Sequence, residues 1–207
     1  MKKIDIQTWK RRHHFELFSK FEEPFFGVVV QIDCTKAYIK AKEKGASFFL
    51  YYLYRALKAV NQIKEFHYRI LNNEVVVHDQ VNVSTTINRA NGTFGFGYFD
   101  YHTNEDIFIA NAQKAIQEVQ NTEGLIPSKP GNSEIHFSAI PWIDFSSLSH
   151  ARSFTFPDSA PKISVGKVTE KDGAKTMPVA VHVHHGLADG YHVGQFVEKF
   201  QTLMNES

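Results

Sequence analysis

Between Val179 and His192 the chain reads Val-Ala-Val-His-Val-His-His-Gly-Leu-Ala-Asp-Gly-Tyr-His. Side chains on an extended strand alternate with a period of two, so Val179, Val181, Val183 and His185 share one face, while His182 and His184 fall on the other. Gly186 releases the strand. His185 is then expected at the strand end, emerging from an apolar face into whatever cleft lies there. An imidazole so held is suited to moving a proton near neutral pH. Asp189 follows at the start of a turn closed by Gly190, where a carboxylate can pin the turn or orient the histidine through a partner. A histidine ending a strand is more often structural than catalytic, and spacing alone leaves that open. His182, His184, His185 and His192 also raise the question of zinc, which a His-x-His strand face can ligate. No cysteine lies close in sequence and Asp189 is the one nearby carboxylate, so the reading is that no metal is bound.

The elements that must position this stretch alternate irregularly. A β-rich run covers Phe26 to Asp33, and a short helix from Thr35 ends at Gly45. Ser47 caps a longer helix, Phe48 to Gln62, apolar on most sides and so expected to be buried. Arg69 to Asp79 reads as a hairpin turning at Asn72-Asn73, a pair that tolerates positive φ. Strands Val81–Asn88 and Thr93–Tyr101 flank Asn91-Gly92, and Asn104 to Gln120 is an amphipathic helix. Thr122 to Ser133, with its glycines and prolines, is a loop. Strands are expected over Glu134–Ile140 and Lys162–Thr169, then a hairpin at Asp172-Gly173 into Lys175–His185, and a last helix from about His192 to Met204. Without a βαβ rhythm, this predicts an α+β domain with a mixed or mostly antiparallel sheet.

Composition bounds the function. The 207 residues are 43% hydrophobic and 14% aromatic, enough for one domain, 1–207, with a real core. A net charge of +1 gives none of the basic field of a nucleic-acid binder. No run approaches a membrane span, and Met-Lys-Lys-Ile-Asp-Ile lacks the apolar core of a signal peptide. The single Cys34 can form no internal disulfide; together these fit a reduced, cytoplasmic compartment.

His184-His185-Gly-Leu-Ala-Asp189-Gly190 resembles the His-His-x-x-x-Asp-Gly motif of CoA-dependent acyltransferases, which include chloramphenicol acetyltransferases, dihydrolipoyl acyltransferases and peptide-synthetase condensation domains. The rest of the chain is similar to the first of these. Trp9-Lys-Arg11-Arg-His-His14-Phe15 resembles the family's Trp-x-Arg-x-x-His-Phe opening. Ser138-Ala-Ile-Pro141-Trp142-Ile-Asp-Phe145 resembles its Ser-Ala-x-Pro-Trp-x-x-Phe segment, and Ala160-Pro161 its Ala-Pro segment. The matches run in the family's order from residue 9 to the C-terminal helix.

The resemblance implies direct acetyl transfer from acetyl-CoA to an alcohol, without an acyl-enzyme. His185 would be the general base and Ser138 the donor that meets the oxyanion of the tetrahedral intermediate. Asp189 would pair with Arg11, pinning the catalytic turn to the N-terminal segment. Phe18 and Phe94 match aromatic positions of the acceptor pocket, and Ile126 stands where the family has a Phe beside its Pro. Ser164 matches a hydroxyl residue that holds water near the reacting oxygen, and Trp142 and Lys167 are CoA-side neighbours. The family fold is a mixed β-sheet layered with helices, and the family is a homotrimer with active sites between subunits. One face of a tunnel admits CoA and the other the acceptor. Bland readings stand beside these: Arg11 as one of a solvated basic run, Ser138 as a plain strand serine, Phe18 and Phe94 as core. The chain departs from the family where the acceptor is recognised, with Gly-Phe-Gly-Tyr after Phe94 and Val83-Ser-Thr-Thr-Ile upstream. Chloramphenicol is the expected acceptor. The alternatives are another alcohol and a non-catalytic trimeric binding homologue.

Overall fold

The structure is a computed structural model and describes residues 1–125, 133–153 and 158–206. Ten strands and five α-helices follow one another as β1 (Lys2–Lys3), α1 (Arg12–Phe18), β2 (Phe25–Asp33), α2 (Thr35–Glu43), α3 (Phe48–Val60), β3 (Tyr68–Leu71), β4 (Glu74–Val77), β5 (Asn82–Asn88), β6 (Phe94–Phe99), α4 (Glu105–Gln120), β7 (Glu134–Ala139), β8 (Lys162–Val165), β9 (Thr169–Lys171), β10 (Ala174–His184) and α5 (Gly190–Asn205). A 3₁₀ turn, Lys64–His67, leads into β3.

A seven-stranded mixed sheet runs in the order β2-β10-β8-β7-β5-β6, with β9 added on β10. β5, β7 and β8 are parallel neighbours and the other pairings are antiparallel. A second, three-stranded sheet has the order β1-β4-β3. This is the expected α+β architecture of mixed sheet and helices.

The alternation along β10 decides which face of the large sheet is covered. Val179, Val181 and Val183 lie in one core with Ile163, Phe137 and Val83 from neighbouring strands. Helices α2 to α5 press on this face through Ala37, Leu53, Phe108 and Phe196 among others. Helix α3 is apolar nearly all round, and Leu50, Leu53, Ala56, Leu57 and Val60 are each at most 1% exposed. A smaller core, Phe15, Tyr68, Val75 and Leu187 with Trp9 against it, joins α1 and the small sheet to the turn after β10.

Three boundaries differ from the sequence expectation. The Lys162–Thr169 strand is split at Gly166, where an added Cβ would lie 2.5 Å from Pro178 Cγ and 2.7 Å from the Ile143 carbonyl oxygen. Pro178 has no N–H to continue the ladder, and its carbonyl accepts from Gly166 N at 2.9 Å. Helix α5 starts two residues before His192, because Asp189 is its N-cap. Helix α1 was not expected at all: its N-cap, Arg11, makes no side-chain cap hydrogen bond and Phe15 is its one buried residue. No described helix is long and apolar enough to cross a membrane.

Candidate active site

Strand β10 pairs with β2 along its length, and the pairing ends at His184 opposite Phe25. There the chain turns. His185 N donates to the Pro24 carbonyl at 2.8 Å, and Leu187 N and Ala188 N both donate to the His184 carbonyl, at 2.9 and 3.0 Å. Leu187 and Ala188, each 2% exposed, anchor the turn in the two cores. Burying such side chains contributes on the order of 1 kcal/mol or more apiece, which keeps the polar residues between them in place. The two adjacent histidines are treated oppositely. His184 is 4% exposed and its Nδ1 accepts from Gly186 N at 3.1 Å. Burial, reinforced by the Arg152 charge, pushes His184 down to about 4, so it is a neutral structural imidazole at pH 7. His185 is half-buried. Its ring stacks on Phe18 with centroids 4.0 Å apart and leans on Phe26 at 4.6 Å. Its Nδ1 is buried without a hydrogen-bond partner among the described residues.

Arg11 holds this turn from α1. Its Nη1 donates to Asp189 Oδ2 at 2.6 Å and its Nη2 to the His185 carbonyl at 3.1 Å. Asp189 Oδ1 accepts from Tyr191 N at 3.1 Å, capping α5, and lies 2.8 Å from His192 Nδ1. His192 Nε2 is in turn 3.5 Å from Glu65 Oε1. Burial works against the Asp189 charge, but the Arg11 hydrogen bond and the His192 and Arg11 charges outweigh it and hold the carboxyl below its ordinary value. The chain of contacts therefore runs from Glu65 through His192, Asp189 and Arg11 to the backbone of His185.

Ser138 stands elsewhere. It lies on β7, in parallel register with Ser164 of β8, and lines a cleft of about 430 Å³ with Ser84, Thr86, Phe96, Tyr98, His136, His150 and Lys162. Ser164 is fully buried and its Oγ has no partner among the described residues. Phe94 is 43% exposed and packs edge-on against Phe96 at 5.6 Å, so it borders this cleft without lining it. Phe96 and Tyr98 belong to the Gly-Phe-Gly-Tyr stretch expected where the acceptor is recognised, whereas His136, His150 and Lys162 were not singled out from the sequence. His136 and Lys162 reach the cleft through the register of β7 and β8, and His150 through a loop that packs its ring on His182.

A second cleft, of about 450 Å³, adjoins the first, and Thr86 lines both. Its walls include Phe48, Phe49, Tyr52, Ile116, Ala139, Pro141, Gly166 and Val168. Trp142, 66% exposed, and Lys167, also exposed, are the sequence neighbours of two of these wall segments, joined by the Lys167 N to Ile143 O hydrogen bond at 2.8 Å. Ile126 lies outside the described residues. His185 lines neither cleft, and no described contact links it to Ser138 within the chain. No group of three or more metal-ligating side chains occurs among the described residues.

The family model for chloramphenicol acetyltransferase matches residues 1–201. The chain belongs to the chloramphenicol acetyltransferase family. It is 31% identical over 206 residues to a chloramphenicol acetyltransferase of Bacillus pumilus, covering 98% of this chain and 93% of that protein. It is 29% identical over 207 residues to chloramphenicol acetyltransferase 3 of Escherichia coli, covering 98% and 96%. A solved chloramphenicol acetyltransferase structure superposes with a TM-score of 0.88 at 31% identity, covering 99% of this chain and 100% of that one. In this member of the family the motif histidine, the serine and the two clefts are laid out as described.

Proposed function

We propose that the chain, 1–207, acts as one domain that transfers acetyl from acetyl-CoA to a hydroxyl of chloramphenicol, an activity that would confer antibiotic resistance. The observation that carries it is the turn after β10. His185 is half-buried, held by its backbone at both N–H and carbonyl, and its ring is clamped by Phe18 and Phe26, its buried Nδ1 without a hydrogen-bond partner among the described residues. Membership of the family and the names of its relatives supply the reaction.

In this reading His185 takes the proton of the acceptor hydroxyl as that oxygen attacks the thioester carbonyl. Ser138 Oγ donates to the oxyanion, and the thioester C–S bond then breaks as the proton passes on to the CoA sulfur. Arg11 and Asp189 position the turn. The cleft at Pro141 and Val168 suits the pantetheine arm of acetyl-CoA by its apolar walls, with Trp142 and Lys167 beside it. The cleft at Ser138 takes the acceptor, with Phe94 at its border and Ser164 beside Ser138 in the sheet register. Because His185 and Ser138 do not meet in one chain, the site is completed between subunits, which supports a homotrimer with Phe18 and His185 from one copy and the Ser138 cleft from the next. The free, buried Cys34 is compatible with work in the cytoplasm, where acetyl-CoA is available.

The test is CoA release from acetyl-CoA with chloramphenicol as acceptor. Wild type should turn over, and His185→Ala should lose on the order of 10²–10⁴-fold in kcat while keeping its oligomeric state and melting temperature. Turnover by the variant at the wild-type rate would remove His185 from the chemistry.

A further inference from the structure

The face of the large sheet opposite the helices is polar along a whole row. Gly27, His182, Lys162, His136, Ser84 and Tyr98 lie side by side in register across β2, β10, β8, β7, β5 and β6. The adjoining row carries Ala180, Ser164 and Ser138. The Ser138 cleft therefore sets hydrogen-bonding groups, Ser84, Thr86, Tyr98, His136 and His150, among apolar walls from Phe96, Phe137 and Ala151. Such groups are costly to desolvate unless the ligand replaces their partners.

The polar groups of the cleft carry no uncompensated charge. Lys162 is 4% exposed and its ammonium is bonded to the Asp158 carboxylate and, at 3.3 Å, to the Ala160 carbonyl. Its charge is thus compensated inside the protein. His150 sits edge-on to His182, with ring centroids 4.7 Å apart, and its buried Nε2 has no partner among the described residues. Burial, then the neighbouring His182 and Lys162, hold His150 down at about 4, which leaves a neutral ring at pH 7. A neutral imidazole carries one donor and one acceptor nitrogen, the complement of a hydroxyl and not of an ion.

We propose that this cleft takes a neutral, polyhydroxylated alcohol as an acetyl acceptor, with His136 and His150 reading hydroxyls beyond the one that reacts. The inference rests on the acetyl-transfer reading above. The step is the same: a C–O ester bond forms at one hydroxyl, the C–S bond of acetyl-CoA breaks, and the hydroxyl proton leaves through His185 to give the CoA thiol. Nothing is oxidised or reduced. A site built to hydrogen-bond hydroxyls rejects an analogue that lacks them far more strongly than an apolar pocket discriminates by size.

The experiment compares kcat/KM, with acetyl-CoA saturating, for methyl glucoside and for cyclohexylmethanol. Both present a primary hydroxymethyl on a six-membered ring, and only the first carries ring hydroxyls. Chloramphenicol is run alongside. Methyl glucoside is expected to be preferred by at least about 100-fold. In His136→Leu/His150→Leu that ratio should collapse toward one. A wild-type ratio at or below one overturns the proposal whether or not the double variant folds, and so does turnover of chloramphenicol alone. A ratio that the double variant leaves unchanged removes the two histidines as readers. No CoA release with any of the three acceptors would overturn the acetyl-transfer reading itself, and the proposal with it.

Discussion

Asp189 does three things with one carboxylate. It caps α5, receives the Arg11 guanidinium and sits against His192. The Arg11 contact is 11% exposed on the arginine side, so it is less screened than a surface pair. Asp189→Asn keeps the shape and removes the charge, leaving Arg11 without its counter-ion beside the His185 carbonyl. A charge-assisted hydrogen bond of this kind contributes about 2 kcal/mol, which in a chain of this size corresponds to a fall of about 4–8 °C in Tm. On the proposed mechanism acetyl transfer should drop with it, because the same bond network holds the turn that carries His185. Thermal melting and steady-state kinetics on one preparation check this; a large loss of kcat with an unchanged Tm would mean that Asp189 acts on the reaction directly. That Asp189 would matter was legible in the sequence as an acid at a turn, and the alternation of β10 separated His184 from His185. The roles of His192 and Glu65 were not legible, since Glu65 lies on a 3₁₀ turn far away in sequence and only packing brings it to α5.

At the scale of elements, the turns with positive φ were readable because few residues tolerate it. Asn72 and Asn73 have φ of 50° and 62°, and Asp172 and Gly173 of 51° and 80°, where the two hairpins were expected. The α3 helix was readable from its unbroken apolar run. Helix α1 was not, because it has neither a cap nor a stripe, and is held by Trp9 and Phe15 packing on the small sheet. Besides His136 and His150, also held at about 4 by burial, two strand ends carry histidines that must stay neutral. His78, just after β4, is 8% exposed, and burial, aided by the Arg69 charge, pushes it down to about 4. His184 at the end of β10 is pushed to about 4 by burial and Arg152, and its Nδ1 can accept from Gly186 N only while unprotonated. Both fold with a pKa below the unfolded value of about 6.5, so the unfolded chain binds more protons between pH 6.5 and 4. Stability is then at its full value above pH 6.5 and is lost as pH falls toward 4. Tm measured from pH 7.5 to pH 4.5 should decline mainly below pH 6.5, and His184→Asn, which keeps an acceptor but does not titrate, should flatten the decline. An acid-side profile identical in that variant would take His184 out of the account.

The whole molecule separates the two residues that the proposed chemistry combines. His185 packs beside Phe18 and Phe26, while Ser138 lies in a cleft on the helix-free face of the large sheet that His185 does not line, and no contact among the described residues joins them. Both residue types were visible from the sequence, but their separation was not, because distance across a sheet depends on strand order and which face is covered. If the site forms between copies, the two halves can be supplied by different variants. His185→Ala and Ser138→Ala proteins, each nearly inactive alone, should regain turnover when unfolded together and refolded as mixed trimers. With random mixing, about one quarter of sites would pair an intact His185 with an intact Ser138, so about one quarter of wild-type activity is expected. Light scattering on the same sample should give three chains per particle. A trimer without complementation would place both residues of each site in one chain. A monomer with full wild-type activity would mean instead that the chain folds His185 and Ser138 together on its own, and that the helix-free sheet face is free for the acceptor alone.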